Sequence, residues 1–181
     1  MAGTALIALG SNRRHGRHGP PAGVLRAAIA ALPGLGVRVT AVSPIIATAP
    51  LGPGTRRYAN AVLAAEWAGS PLALLAVLKG LERRFGRRPG RRWGDRVLDC
   101  DIIAIGSQVR RRKPLILPHP AMAQRLFVLA PLLAVAPGWR HPLLHRTAKQ
   151  LHARALRPKG LPAPAGMAPG SLAQSVRAPA F

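Results

Sequence analysis

The sequence predicts an α+β fold: a ferredoxin-like split βαβ sheet with flanking helices and a flexible C-terminal tail. Apolar β-branched runs alternate with helical spacing in the order strand, helix, strand, strand, helix, strand. Gly and Pro punctuate the junctions between these segments. Beyond Arg157 the apolar periodicity stops while Pro recurs, the pattern of a chain with too little to bury. The length of 181 residues fits one domain with a sizeable core. The reading therefore divides the chain into a domain over 1–156 and a flexible, basic Pro/Ala-rich tail over 157–181.

Taken in order, "TALIALGSN" is a short buried strand stopped by Gly10 and followed by the basic loop "RRHGRHGPP". Leu25, Ala28, Ile29 and Leu32 then recur at helical spacing until Pro33 and Gly34 end the helix. The run "VRVTAVSPII" restores strand character, but Pro44 has no N–H for a ladder, so the strand must break, bulge or lie at an edge there. After the loop "ATAPLGPGTRR", "YANAVLAAEW" is another strand. Ser70-Pro71 combines an N-cap with the proline favoured at the first helical position, and Leu74, Leu78, Leu81 and Phe85 line one face of the helix that follows. The loop "GRRPGRRWG" precedes the strand that holds Asp99 and Asp101. "SQVRRRKPLIL" is hairpin-like, "PHPAMAQRLFVLAPLLAVAP" is a turn with one or two short helices, and "TAKQLHARAL" is a further short helix.

The charge is extreme, with 27 Lys and Arg against five Asp and Glu. Such a balance points to a polyanionic partner: nucleic acid, a membrane surface or a phosphate-rich small molecule. Arg in excess of Lys, with abundant Ala, Gly and Pro, also fits a coding bias, which offers a compositional source for part of the charge. A single cysteine excludes an intramolecular disulfide and any cysteine-cluster metal site, in keeping with a reducing compartment. The N-terminal apolar run is too short for a membrane span and lacks the basic start of a signal peptide, so a cytoplasmic protein is expected.

Against that background, three of the five carboxylates, Asp95, Asp99 and Asp101, fall within a few residues of one another in "WGDRVLDCDIIAIG". Strand side chains alternate, so Asp99 and Asp101 share a face with Cα atoms roughly 6.5 Å apart, while Leu98, Cys100 and Ile102 face the core. A D-x-D pair of this kind suits Mg²⁺, a hard cation commonly held by one or two carboxylates plus substrate phosphates. Alternatively, the aspartates only neutralise neighbouring arginines. The four arginines of the adjacent loop favour the first reading, since phosphoryl transfer needs guanidinium groups opposite a metal clamp. Neither G-x-x-x-x-G-K-[ST] nor G-x-G-x-x-G follows a strand, so a bound nucleotide would be held by side chains.

Four segments, "ALGSN", "TAPLG" with "YANAV", "GRRPGRRWGDRVLDCDII" and "LPHPAMAQRLFVLAPL", occur in the order and spacing of the 6-hydroxymethyl-7,8-dihydropterin pyrophosphokinase family, over roughly residues 4 to 137. The chain resembles that family closely. The resemblance implies transfer of the β,γ-pyrophosphoryl group of ATP to the pterin hydroxymethyl group with release of AMP, using two Mg²⁺ ions. It implies that Asp99 and Asp101 hold metal, that Arg87 and Arg96 act on the transferring phosphates, and that Arg92, His119 and Arg125 bind the nucleotide, with Ile102 packing against adenine and Lys79 a weaker candidate. For the pterin, it implies a sandwich between Leu51 and Phe127, hydrogen bonds from Asn60 and the backbone near Thr48 and Leu51, and a pocket completed by Tyr58 and Trp93. A flat heterocycle calls for such apolar faces and a polar rim. ATP and the pterin are the expected partners, with a monomeric chain and neither membrane nor nucleic acid.

Several of these residues have simpler readings: Phe127 as core, His119 as a turn residue between prolines, Lys79 and Glu82 as a surface pair. Two positions depart from the family pattern, Asp95 ahead of Arg96 and Cys100 between the aspartates, and slightly shortened loops leave Arg88 and Arg91 as alternatives for a second loop arginine. The competing function is a basic nucleic-acid-binding protein, carried by "RRHGRHG", "RRPGRR" and "VRRRK" but without interleaved aromatic residues.

Overall fold

The structure, a computed structural model, describes residues 3–49, 56–87 and 96–157. The tail beyond Arg157 lies outside them, as do Leu51, Arg92, Trp93 and Asp95.

Strand β1 (Gly3–Ser11) leads into helix α1 (Pro21–Ala31), β2 (Arg38–Val42), β3 (Ile46–Thr48), β4 (Tyr58–Trp67), α2 (Pro71–Arg84) and β5 (Asp99–Ile105). Helices α3 (Leu126–Val135) and α4 (Ala148–Leu156) follow. The sheet is mixed with helices but internally antiparallel, in the order β2-β4-β1-β5, with β3 also paired to β4. Each long helical connection, through α1 and through α2, returns the chain two places along the sheet.

Pro44 acts as expected. The strand run breaks into β2 and β3, both on β4, and Ser43 bridges the gap: its Oγ accepts the Val62 N–H at 3.0 Å and its own N–H donates to the Val62 carbonyl at 2.9 Å. Ser70 caps α2, its Oγ accepting the Ala73 N–H at 3.2 Å. Thr147 and Gln150 close a reciprocal capping box at the start of α4.

Alternation along the strands sorts the core into two layers. Ala5, Ile7, Leu9, Leu63, Cys100 and Ile102 face α1 and α2, where Leu74, Leu78, Leu81 and Phe85 complete the packing. Leu6, Val62, Ala64, Ile103 and Ala104 face α3 and α4. A bulge interrupts the alternation on β5: Leu6 pairs with Ala104 and Ile7 with Ile102, so Ile103 is the extra residue and sits on the same face as Ala104. The α3/α4 layer covers only part of its face, and the uncovered end carries the site.

Candidate active site

At that end a cavity of about 340 Å³ opens between β1, β3, β4, β5 and the segment leading into α3. Its floor at β1 is Ala8 and Gly10, small side chains that leave room over the sheet. One end is lined by Thr48, Tyr58, Asn60 and Phe127, the other by Arg96, Asp99, Asp101, Ile103, His119 and Arg125. Tertiary structure thus joins residues from four separate segments around one cavity. Leu51, Arg92 and Trp93, and both candidates for the second loop arginine, Arg88 and Arg91, lie outside the described residues.

Asn60 is buried on β4, where its Nδ2 donates to Thr48 Oγ1 at 2.8 Å. That bond commits one amide hydrogen and fixes the side chain across the β3–β4 pair, leaving Oδ1 as an acceptor. The Arg125 guanidinium lies 5.7 Å from the centre of the Phe127 ring, tying the apolar wall to the cationic end. Phe127 packs against the α3/α4 core and lines the cavity at once, so it is more than ordinary core. His119 donates its N–H to the Ile103 carbonyl at 2.8 Å, while its Nδ1 accepts from Ala121 N–H at 3.3 Å. The proton of the neutral ring is therefore assigned to Nε2. Burial pushes the His119 pKa down, with the Asp101 carboxylate working against that shift.

The acidic strand is held differently at its two aspartates. Asp99 receives Arg87 Nη1 on Oδ1 at 2.7 Å and Arg96 Nη1 on Oδ2 at 2.6 Å. Asp101 lines the same cavity and makes no ion pair among the described residues. Two hard oxygen donors on one strand face fit Mg²⁺. The described residues contain no cluster of three or more His, Cys, Asp and Glu able to cage a metal, so the shell would have to be completed by a ligand's oxygens.

Two residues that sequence reasoning undervalued organise this end. Asn12, just after β1, accepts the Arg96 N–H on Oδ1 at 2.8 Å and donates its own N–H to the Arg96 carbonyl at 3.1 Å. The only trace of this in the sequence is its place at the end of "ALGSN". Glu82 is not half of a surface pair: it is 1 % exposed. Its Oε1 accepts Lys79 Nζ at 2.6 Å and the Cys100 N–H at 2.7 Å, and its Oε2 accepts Arg87. Lys79 also donates to the Cys100 carbonyl at 3.0 Å, so it serves the α2–β5 contact and does not reach the cavity. Arg87 is turned toward this group by the end of α2. Gly86, at φ 80°, donates to the Arg83 carbonyl and Arg87 to the Glu82 carbonyl, a Schellman ending that needs a left-handed residue. Burial opposes the Arg87 charge, but Asp99 and Glu82 outweigh it and raise its pKa.

Ile102 requires a correction. Its side chain is 2 % exposed on the α1/α2 face, away from the cavity, because it has the opposite parity to Asp99 and Asp101; Ile103 lines the cavity instead.

The profile of the family described as 7,8-dihydro-6-hydroxymethylpterin-pyrophosphokinase (HPPK) matches residues 6–137. This chain belongs to that family. A 2-amino-4-hydroxy-6-hydroxymethyldihydropteridine pyrophosphokinase of Pseudomonas aeruginosa is 40 % identical over 144 residues, covering 78 % of this chain and 86 % of the relative. The Synechocystis protein of the same name is 36 % identical over 148 residues, covering 81 % and 73 %. The crystal structure of Plasmodium falciparum HPPK-DHPS wild type superposes with a TM-score of 0.65 at 13 % identity over 85 % of this chain. That likeness carries the fold alone, and the present chain spans 45 % of the Plasmodium chain. No described helix is long and apolar enough to cross a membrane. The nucleic-acid-binding alternative has no support from the family match or the relatives.

Proposed function

We infer that the chain transfers the pyrophosphoryl group of ATP to 6-hydroxymethyl-7,8-dihydropterin and releases AMP, a step of folate biosynthesis. The observation that carries this reading is one cavity with Thr48, Tyr58 and Asn60 on its β3/β4 side and a carboxylate–arginine cluster on its β5 side. In the reaction the pterin hydroxymethyl oxygen loses its proton to solvent and forms a bond to the β-phosphorus, the bond from the β-phosphorus to the oxygen bridging it to the α-phosphorus breaks, and AMP leaves with that oxygen.

Asp99 and Asp101 are assigned as the residues that hold Mg²⁺, with two ions implied by the family resemblance. Bound there, the metal would neutralise phosphate charge and orient the leaving group. Arg96 and Arg87 are assigned to the charge of the transferring phosphates, with His119, Arg125 and Arg92 on the nucleotide. Asn60 and the Thr48 segment read the pterin edge, while Phe127, Leu51, Tyr58 and Trp93 wall it in. Support for the metal pair comes from shared strand parity and cavity lining; support for Arg96 comes from its double attachment to Asn12.

The strand order agrees with a ferredoxin-like split βαβ sheet. Residues 1–156 are taken as the catalytic unit, acting as a monomer in the cytoplasm. The test is AMP release from ATP, which should require both the hydroxymethylpterin and Mg²⁺. AMP release that persists without the pterin would overturn the reading.

A further inference from the structure

We propose that Arg87 acts as a lock on Asp99, keeping a lone divalent cation off the carboxylate until an anionic ligand arrives, and that Glu82 is the station that retains Arg87 when the lock opens. The inference rests on the assignment of Asp99 and Asp101 as the cation pair.

Both carboxylate oxygens of Asp99 are engaged by guanidinium groups, Oδ1 by Arg87 at 2.7 Å and Oδ2 by Arg96 at 2.6 Å. A cation that uses either oxygen meets a guanidinium on that same oxygen, so two positive charges crowd one acceptor unless an arginine moves away. The two arginines are not equally displaceable. Arg96 is fixed through its backbone, donating to Asn12 Oδ1 and accepting from the Asn12 N–H. Arg87 follows the left-handed Gly86, and the same Nη1 that meets Asp99 also meets Glu82. Losing Asp99 therefore leaves Arg87 with a charged partner.

That partner is well placed to keep it. Glu82 is buried, and its other oxygen is already held by Lys79 and the Cys100 N–H, so its position is fixed between α2 and β5. A buried carboxylate with a cation on each oxygen has no reason to release either. Asp99 is more exposed, with a quarter of its side-chain surface accessible against 2 % for Glu82, and its hold on a guanidinium is correspondingly weaker.

Charge counting points the same way. Lys79, Arg87 and Arg96 against Glu82 and Asp99 leave the connected set with one net positive charge. A bare divalent cation adds two more in a partly desolvated cavity. A cation that arrives with polyphosphate brings compensating negative charge and offers the displaced arginine a new anion. The lock thus couples cation entry to ligand entry and delivers a loosened Arg87 to the phosphate side.

The experiment is a Mn²⁺ titration of the nucleotide-free protein, read by the loss of the free-ion EPR signal. Arg87→Ala should tighten Mn²⁺ binding at least about fivefold, the size of a typical coupling between sites. Arg125→Ala removes one positive charge from the same cavity without touching Asp99, and should change affinity by less than about twofold. Arg87→Gln serves as the second unlocked variant and should behave like Arg87→Ala. Equal tightening in Arg87→Ala and Arg125→Ala would reduce the effect to bulk charge and overturn the lock, as would no tightening in either Arg87 variant. Failure of the underlying assignment is read separately: Asp99→Asn with parental Mg²⁺-dependent turnover would remove the cation pair itself.

Discussion

The two faces of one sheet are built from alternate residues of the same strands, yet they do opposite work. On the α1/α2 face each strand delivers aliphatic side chains, and helices cover them. On the other face α3 and α4 cover one end, while the uncovered end keeps Asn60, Asp99 and Asp101 around a cavity. From Leu98 into β5 the switch occurs residue by residue, with Leu98 and Cys100 fully buried and Asp99 and Asp101 half-buried between and beyond them. Polar groups are tolerated where partners or solvent reach them, and on the closed face the buried Glu82 has both carboxylate oxygens partnered. One face is thus core throughout, while the other divides between a second core layer and the cavity.

The largest effect is expected on the open face. Asp101→Ala should lower turnover about a thousandfold, the several kcal/mol that a metal clamp supplies, while urea unfolding stays within about 1 kcal/mol of the parent. A variant with near-parental Mg²⁺-dependent turnover would show that Asp101 is not a metal residue. Leu78→Ala, on the closed face, should do the reverse. It is fully buried, so its loss should cost about 3 kcal/mol in chemical denaturation with kcat per folded molecule unchanged. A finer test uses adjacent residues of opposite parity. Ile102→Val should cost about 1 kcal/mol and leave KM for ATP unaltered, whereas Ile103→Val should raise that KM; the reverse outcome would place the nucleotide on the wrong face.

The smallest effect is expected at the far rim of the α3/α4 face. His141 is buried, and its Nδ1 accepts the Leu143 and Leu144 N–H groups at 3.2 Å each, a role open only to an unprotonated nitrogen. Burial lowers its pKa in the folded chain from the ordinary 6.5. As pH falls through 6.5 the unfolded chain gains the proton first, so this stabilisation is present above that pH and is lost below it. His141→Asn keeps an acceptor for the two N–H groups without titrating there. The melting temperature of the variant should fall less between pH 7 and pH 5 than that of the parent; parallel curves would assign the acid sensitivity elsewhere.

Much of this was legible in the chain. Period-two alternation put Asp99 and Asp101 on one face, Ser70-Pro71 marked the start of α2, and Pro44 marked the break between β2 and β3. Leu74, Leu78, Leu81 and Phe85 were readable as one buried stripe. Motif order and spacing carried the family. Glu82 was not readable, because a carboxylate at that helical position is ordinarily solvated; its burial depends on Lys79, Arg87 and the Cys100 N–H converging from different segments. Nor was Ile103, whose turn toward the cavity comes from a bulge against Leu6 and Ile7 that exists only in the paired sheet.

By itself, then, the sequence determined what depends on neighbours along the chain: the periodicities, the caps and breaks, the strand parity of the carboxylates and the motif spacing that identifies the family. Tertiary structure alone decided which polar groups meet. It brought Asn12 to Arg96, Arg87 to both Glu82 and Asp99, and Thr48 to Asn60, because charge pairing and hydrogen bonding depend on distance in space, and folding sets those distances between residues far apart in the chain.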